Sequence, residues 1–143
     1  MKTVNLLHLY ELPEKRKDEP KKLDERLMLS SIETSYHNQY ISIGMEGAQD
    51  LFVVIGPQVT KATKNAANTV RGAMAVQSSV DTFTVAPTSY DQSQWMTKRD
   101  GQQVLIDSTS LQGFVAIVLP GRTQPCIVKT DEVLAAVENV TRT

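Results

Sequence analysis

The clearest chemical pattern in the chain is a basic stretch at residues 56–74, GPQVTKATKNAANTVRGAM. At 100° per residue its basic and amide side chains fall on one side of a helix and its apolar side chains on the other. No acidic residue occurs between Asp50 and Asp81, so nothing within the segment neutralises the basic side. Three interpretations stay open: an anion site, a surface for an acidic protein or a nucleic-acid backbone, and a solvated face neutralised by neighbouring segments. The candidate binding residues are Lys61, Lys64, Asn68 and Arg71.

The anion-site interpretation depends on how this helix begins. A buried strand that runs through Gly56 and Pro57 into a helix directs backbone N–H groups and a partial positive charge at one point. A phosphate loop needs several glycines and a Lys before Ser or Thr, and a dinucleotide fingerprint needs three spaced glycines. Neither spacing occurs, and Pro57 lacks an N–H group. The pattern therefore does not predict a nucleotide-binding loop.

A second candidate is the polar stretch 87–103, which we predict to be a long loop. Long connections often carry function, and Trp, Tyr and Arg are frequent anchors of protein interfaces. The alternative is that the tryptophan folds back onto the core. Combined with the basic helix, the loop would offer stacking and charge to single-stranded nucleic acid. The candidate residues here are Tyr90, Trp95, Lys98 and Arg99.

Residues for catalysis or metal binding are few. His37, near a predicted turn, is a candidate general base for a small hydrolase or nuclease, although a solvated turn histidine is the simpler interpretation. His8 lies among leucines in a predicted strand. The one cysteine, Cys126, has no partner for an internal disulfide and is predicted to be a small buried apolar residue. Without paired cysteines or a His-Glu-x-x-His motif, the sequence predicts no metal site and no cofactor.

The composition indicates one ordinary globular domain spanning residues 1–143. Hydrophobic residues make up 41% and charged residues 22%, and the net charge of −1 argues against a strongly basic nucleic-acid binder. We find no signal peptide and no apolar run long enough to cross a bilayer, so we expect a cytoplasmic protein without membrane contact. Residues 13–22, which mix both signs of charge, are predicted to be a linker.

Hydrophobic periodicity predicts the elements that position these residues. Strands are expected at 3–12, 39–45, 50–56, from about 82 to 86, 104–108, 113–121 and 123–129. Helices are expected from 23 to about 33, at 56–74 and from 130 or 131 onward.

This order predicts an α+β or α/β two-layer sandwich, with a central sheet of about five or six mixed strands and two or three helices. From the second element on, the order is similar to that of roadblock-type and other profilin-like domains. The similarity is one of element order, and no motif accompanies it.

These features together predict a small non-enzymatic binding protein. We expect it to act as a regulatory, inhibitory or assembly module through protein–protein contacts, and to form a homo-oligomer. The first alternative is a nucleic-acid-binding module that uses the basic helix and the aromatic loop. The second alternative is a small hydrolase or nuclease built around His37.

Overall fold

The computed structural model describes residues 3–13, 18–32, 39–48, 51–68, 77–81, 83–85 and 103–141. Within these ranges the chain forms two helices, α1 (Gly56–Ala67) and α2 (Thr130–Thr141). Its strands are β1 (Val4–Glu11), β2 (Lys21–Ser31), β3 (Tyr40–Met45), β4 (Leu51–Ile55), β5 (Gln77–Asp81), β6 (Phe83–Val85), β7 (Gln103–Ser108), β8 (Phe114–Val118) and β9 (Cys126–Lys129).

The strands form two separate sheets. The first sheet has the order β1-β2-β3-β4-β6 and the second has the order β5-β7-β8-β9. Every strand pair in the described residues is antiparallel. The fold is therefore mixed α+β, but the prediction of one central sheet with mixed strand directions is wrong. Short connections join most neighbouring strands, and such connections favour antiparallel pairs.

The predicted helix from residue 23 to about residue 33 is also wrong, because residues 23–31 lie in β2. Leu27 and Leu29 are fully buried, whereas Met28 between them is only half-buried. That alternation is the period of a strand, and β2 is hydrogen-bonded on both sides, to β1 and to β3. Of the predicted linker 13–22, Lys21 and Lys22 open β2, while residues 14–17 lie outside the described residues.

Residues 77–81 and 83–85 form two strands, where the sequence predicts one strand from about Thr82. The chain passes from β5 in the second sheet to β6 in the first sheet between Asp81 and Phe83. In the sequence, Val80 is out of phase with Phe83 and Val85, and this break in the alternation coincides with the change of sheet.

One main core lies between the two sheets and the two helices. The first sheet contributes alternate residues such as Leu7, Leu29 and Ile43, and the second contributes Ile106 and Ile117. Helix α1 packs against α2 and against β5, β7 and β8, and α2 packs against β1, β2, β3 and β9. Because both helices bury one face in this core, the opposite face of α1 is turned toward solvent.

Candidate functional site

Helix α1 begins directly at the end of β4, as the sequence predicts. The N–H of Gly56 donates to the carbonyl oxygen of Gln39 over 2.7 Å, which extends the β3–β4 ladder by one pair into the helix. Pro57 then occupies the first turn, where a missing N–H costs nothing. The start of the helix is therefore fixed by the sheet rather than by a side-chain cap.

This geometry bears on the anion-site interpretation. The N–H of Gly56 is already bonded to Gln39, and Pro57 has no N–H to offer. A helix N-terminus binds anions through its free backbone N–H groups. Two of the first three helical residues are thus unable to contribute, so the structure gives no support to an anion site at this end of α1.

The inner face of α1 packs into the core, and the hydroxyl of Thr63 on that face donates to the carbonyl oxygen of Val59 over 2.7 Å. Val59, Ala62 and Ala66 are the apolar residues that this face buries. The predicted helix and its apolar side are confirmed from Gly56 to Ala67, with Asn68 as the C-cap, and residues 69–74 of the predicted helix lie outside the described residues.

The outer face of α1 is exposed, and we refer to the exposed residues Lys61, Lys64, Asn65 and Asn68 as the basic face. In the described part of the chain, neither lysine has a carboxylate oxygen within the 4.0 Å of an ion pair. Lys64 lies in the last turn, where a cation is favoured by the helix dipole. Lys61 lies one turn earlier on the same face, and two like charges at this spacing repel each other by a few tenths of a kcal/mol.

Two arginines elsewhere in the described ranges form ion pairs with carboxylates. The guanidinium of Arg26 donates to both carboxylate oxygens of Glu46, over 2.9 and 2.8 Å. Arg122 lies 3.4 Å from a carboxylate oxygen of Glu25. Both pairs lie away from α1, so these acids do not neutralise the basic face.

The structure locates part of the predicted binding surface, and its binding role stays a prediction. It places Lys61, Lys64 and Asn68 on one exposed helix face. The other predicted residues lie outside the described residues; they are Arg71, Tyr90, Trp95, Lys98 and Arg99. The candidate base His37 lies outside them as well, so a role for any of these side chains stays a prediction.

Cys126 is buried in the main core, as the sequence predicts. Its thiol donates to the sulfur of Met45 over 3.7 Å. Burial raises the pKa of the Cys126 thiol above its ordinary value of 9.0, an effect that the charge of Arg122 opposes and that of Glu25 reinforces. The thiol is therefore protonated near neutral pH, which is the opposite of an activated nucleophile.

Sequence reasoning did not single out one exposed feature, the amino-terminal half of β1. Val4 and Leu6 are the exposed large hydrophobic residues among the described residues, with 48% and 38% of their surface accessible. A signal was present in the sequence: residues 3–9 carry no acid, lysine or arginine, which is unusual for a strand at a sheet edge.

Comparison with protein-family models, with curated proteins and with solved structures finds no match for this chain. The resemblance to roadblock-type and other profilin-like domains gains no support from these comparisons. Its basis is also lost, because the second element of the chain is the strand β2 and not a helix.

The described residues contain no cluster of three His, Cys, Asp or Glu side chains able to hold a metal ion. Neither α1 nor α2 has the length and the apolar run needed to cross a bilayer.

Proposed function

We propose that this protein is a non-enzymatic binding protein that docks through the basic face of α1 onto an acidic surface of a partner protein. The observation that carries the proposal is the pair of exposed lysines, Lys61 and Lys64, with no carboxylate within ion-pair distance among the described residues. A regulatory, inhibitory or assembly role would each use such a surface.

Charge repulsion along the helix supports this proposal. Lys61 and Lys64 repel each other at their three-residue spacing in the unbound protein. An acidic group placed between them would reduce this repulsion. The exposed amide of Asn68, at the end of the helix, supplies a hydrogen-bonding group without adding charge. A partner protein with acidic side chains spaced over one to two helical turns would neutralise both lysines.

An acidic protein fits the surface better than nucleic acid does. Nucleic-acid binding draws on many phosphate contacts made by a broad basic surface. The basic face contains two lysines, and the whole chain has a net charge of −1, so it offers few of the phosphate contacts on which nucleic-acid affinity depends. A nucleic-acid-binding module is therefore the alternative outcome of the test.

The test measures binding of two polyanions to the purified chain by isothermal titration calorimetry at low salt. The probes are polyglutamate and a mixed-sequence single-stranded oligonucleotide. We expect polyglutamate to bind more tightly, and the Lys61→Gln/Lys64→Gln variant to bind it about fivefold more weakly, since each exposed ion pair contributes roughly 0.5 kcal/mol. The affinity should fall as salt is raised.

The matched control is the Lys21→Gln/Lys22→Gln variant, which removes the same charge from two exposed residues of β2. This control should bind polyglutamate as the unmodified chain does. If polyglutamate does not bind, or if both double variants weaken it equally, the proposal is wrong. If the oligonucleotide binds more tightly and the Lys61→Gln/Lys64→Gln variant loses it, the nucleic-acid alternative replaces the proposal.

A further inference from the structure

Strand β1 forms one edge of the first sheet. The backbone hydrogen bonds of β2 with β1 and with β3 show which N–H and C=O groups of β1 are bonded to β2. The N–H of Ser31 donates to the carbonyl oxygen of Thr3 over 2.8 Å, so Thr3 and Ser31 form a hydrogen-bonded pair. Such pairs alternate along an antiparallel ladder. Asn5 and Leu7 therefore direct their N–H and C=O groups toward β2.

The residues between them direct their backbone groups away from the sheet. Val4, Leu6 and His8 lie opposite Ser30, Met28 and Arg26 in non-hydrogen-bonded pairs. On the other side of β2 the N–H of Glu46 donates to the carbonyl oxygen of Arg26 over 3.0 Å, so the even-numbered residues of β2 bond to β3. The two observations give the same hydrogen-bonding phase for β1 from Thr3 to His8.

In the described part of the chain, β1 pairs with no strand other than β2. The regular edge ends at an irregularity between His8 and Tyr10, after which β1 lies beside β9 and Tyr10 packs against Ile127. The free edge is therefore the segment from Thr3 to His8. Its outward N–H and C=O groups are complementary to one kind of partner, another extended backbone.

Side chains on this edge favour self-pairing. Natural edge strands are protected by lysines, inward-pointing charges or proline, and the segment from Thr3 to His8 has none of these. Val4 and Leu6 are exposed on the sheet face that is turned away from the core. Because the segment has no acid, lysine or arginine, two copies can approach about a two-fold axis without like charges meeting.

We propose that the free edge of β1 is a dimer interface, at which β1 of one protomer pairs antiparallel with β1 of its partner and joins the two first sheets. The register that engages all three outward-facing residues places Leu6 opposite Leu6 of the partner subunit. Val4 then lies opposite His8 of the partner subunit, and each such pair exchanges two backbone hydrogen bonds. This inference goes beyond the function proposed for α1 and does not depend on it.

Sedimentation velocity over a range of protein concentrations tests the interface. We expect the chain to dimerise, with dissociation on dilution. The Leu6→Lys and Leu6→Glu variants should each raise the dissociation constant at least about tenfold, because like charges then meet at the axis. An equimolar mixture of the two variants should dimerise again, since opposite charges lie across the axis.

Control variants with the same charges at an exposed position of α2, Ala135→Lys and Ala135→Glu, should dimerise as the unmodified chain does. Circular dichroism confirms that each variant is folded. A monomeric chain at the highest concentration would overturn the interface, and so would a dimer that neither Leu6 variant weakens. Polyglutamate binding by α1 would be unaffected by either result, so failure here leaves the α1 proposal standing.

Discussion

Cys126 illustrates how burial can be the largest influence on the pKa of a side chain. The thiolate would be a charge placed among core residues, so the folded state retains the proton to a higher pH than the unfolded chain does. Where the folded state binds more protons, the free energy of unfolding falls as pH rises. The loss begins near the ordinary thiol pKa of 9.0.

We therefore expect urea unfolding to show a stability that declines between about pH 8 and about pH 10, with a smaller decline in the Cys126→Ala variant. Comparing the pH slopes of the two proteins, rather than their absolute stabilities, isolates the contribution of the thiol from those of all groups that the two proteins share. Equal slopes in the two proteins would mean that the thiol is not buried in the folded state.

The burial or exposure of single residues could be predicted where the helical period alone determines it. The sequence places Lys61 and Lys64 opposite Val59 and Ala62 on one helix, and the structure has the lysines exposed and the apolar pair buried. The absence of a neighbouring carboxylate among the described residues was not predictable, because ion pairs depend on tertiary contacts. Arg26 and Glu46 pair across β2 and β3 although twenty positions separate them in the chain.

At the scale of elements, the junction of β4, α1 and α2 depends on a glycine. A Cβ atom at position 56 would lie 2.6 Å from Cγ2 of Thr141 and 3.1 Å from the carbonyl oxygen of Gln39. Contacts this close force neighbouring atoms to move, and overpacking in a core costs about 1–3 kcal/mol. The glycine therefore permits the end of α2 to approach the start of α1.

We expect Gly56→Ala to lower the free energy of unfolding by about 1–3 kcal/mol in urea titrations. Thr141→Ser removes the methyl group in the closest contact and keeps the hydroxyl that donates to Val137 over 2.8 Å. The double variant should recover part of the loss, whereas Gln58→Ala, at an exposed position of the same turn, should cost much less. No recovery in the double variant would mean that Thr141 is not the obstacle.

Element type was predictable where one period dominates and was mistaken where two periods compete. In β3 and β4 the apolar spacing is compatible with a strand, and both are strands. In β2, Leu23, Leu27 and Met28 match a helix while Leu27 and Leu29 match a strand. Two flanking strands decide the outcome, and their positions cannot be read from the local sequence.

At the scale of the whole molecule, the division of the strands into two sheets could not be predicted from the sequence. Local patterns indicate that strands exist but not which strands pair, and the chain crosses between the sheets within residues 81–83. The shared core of both sheets and both helices fixes α1 with one face buried. The proposed docking surface therefore depends on the whole fold, although its residues lie in one element.

The most direct test of the central claim is to locate the acidic ligand on the folded chain. Amide chemical-shift changes on titration of ¹⁵N-labelled protein with polyglutamate provide this location. We predict that the largest changes fall at Lys61, Lys64, Asn65 and Asn68, with little change along β2 near Lys21 and Lys22. Changes centred on another surface, or none at all, would contradict docking through the basic face of α1.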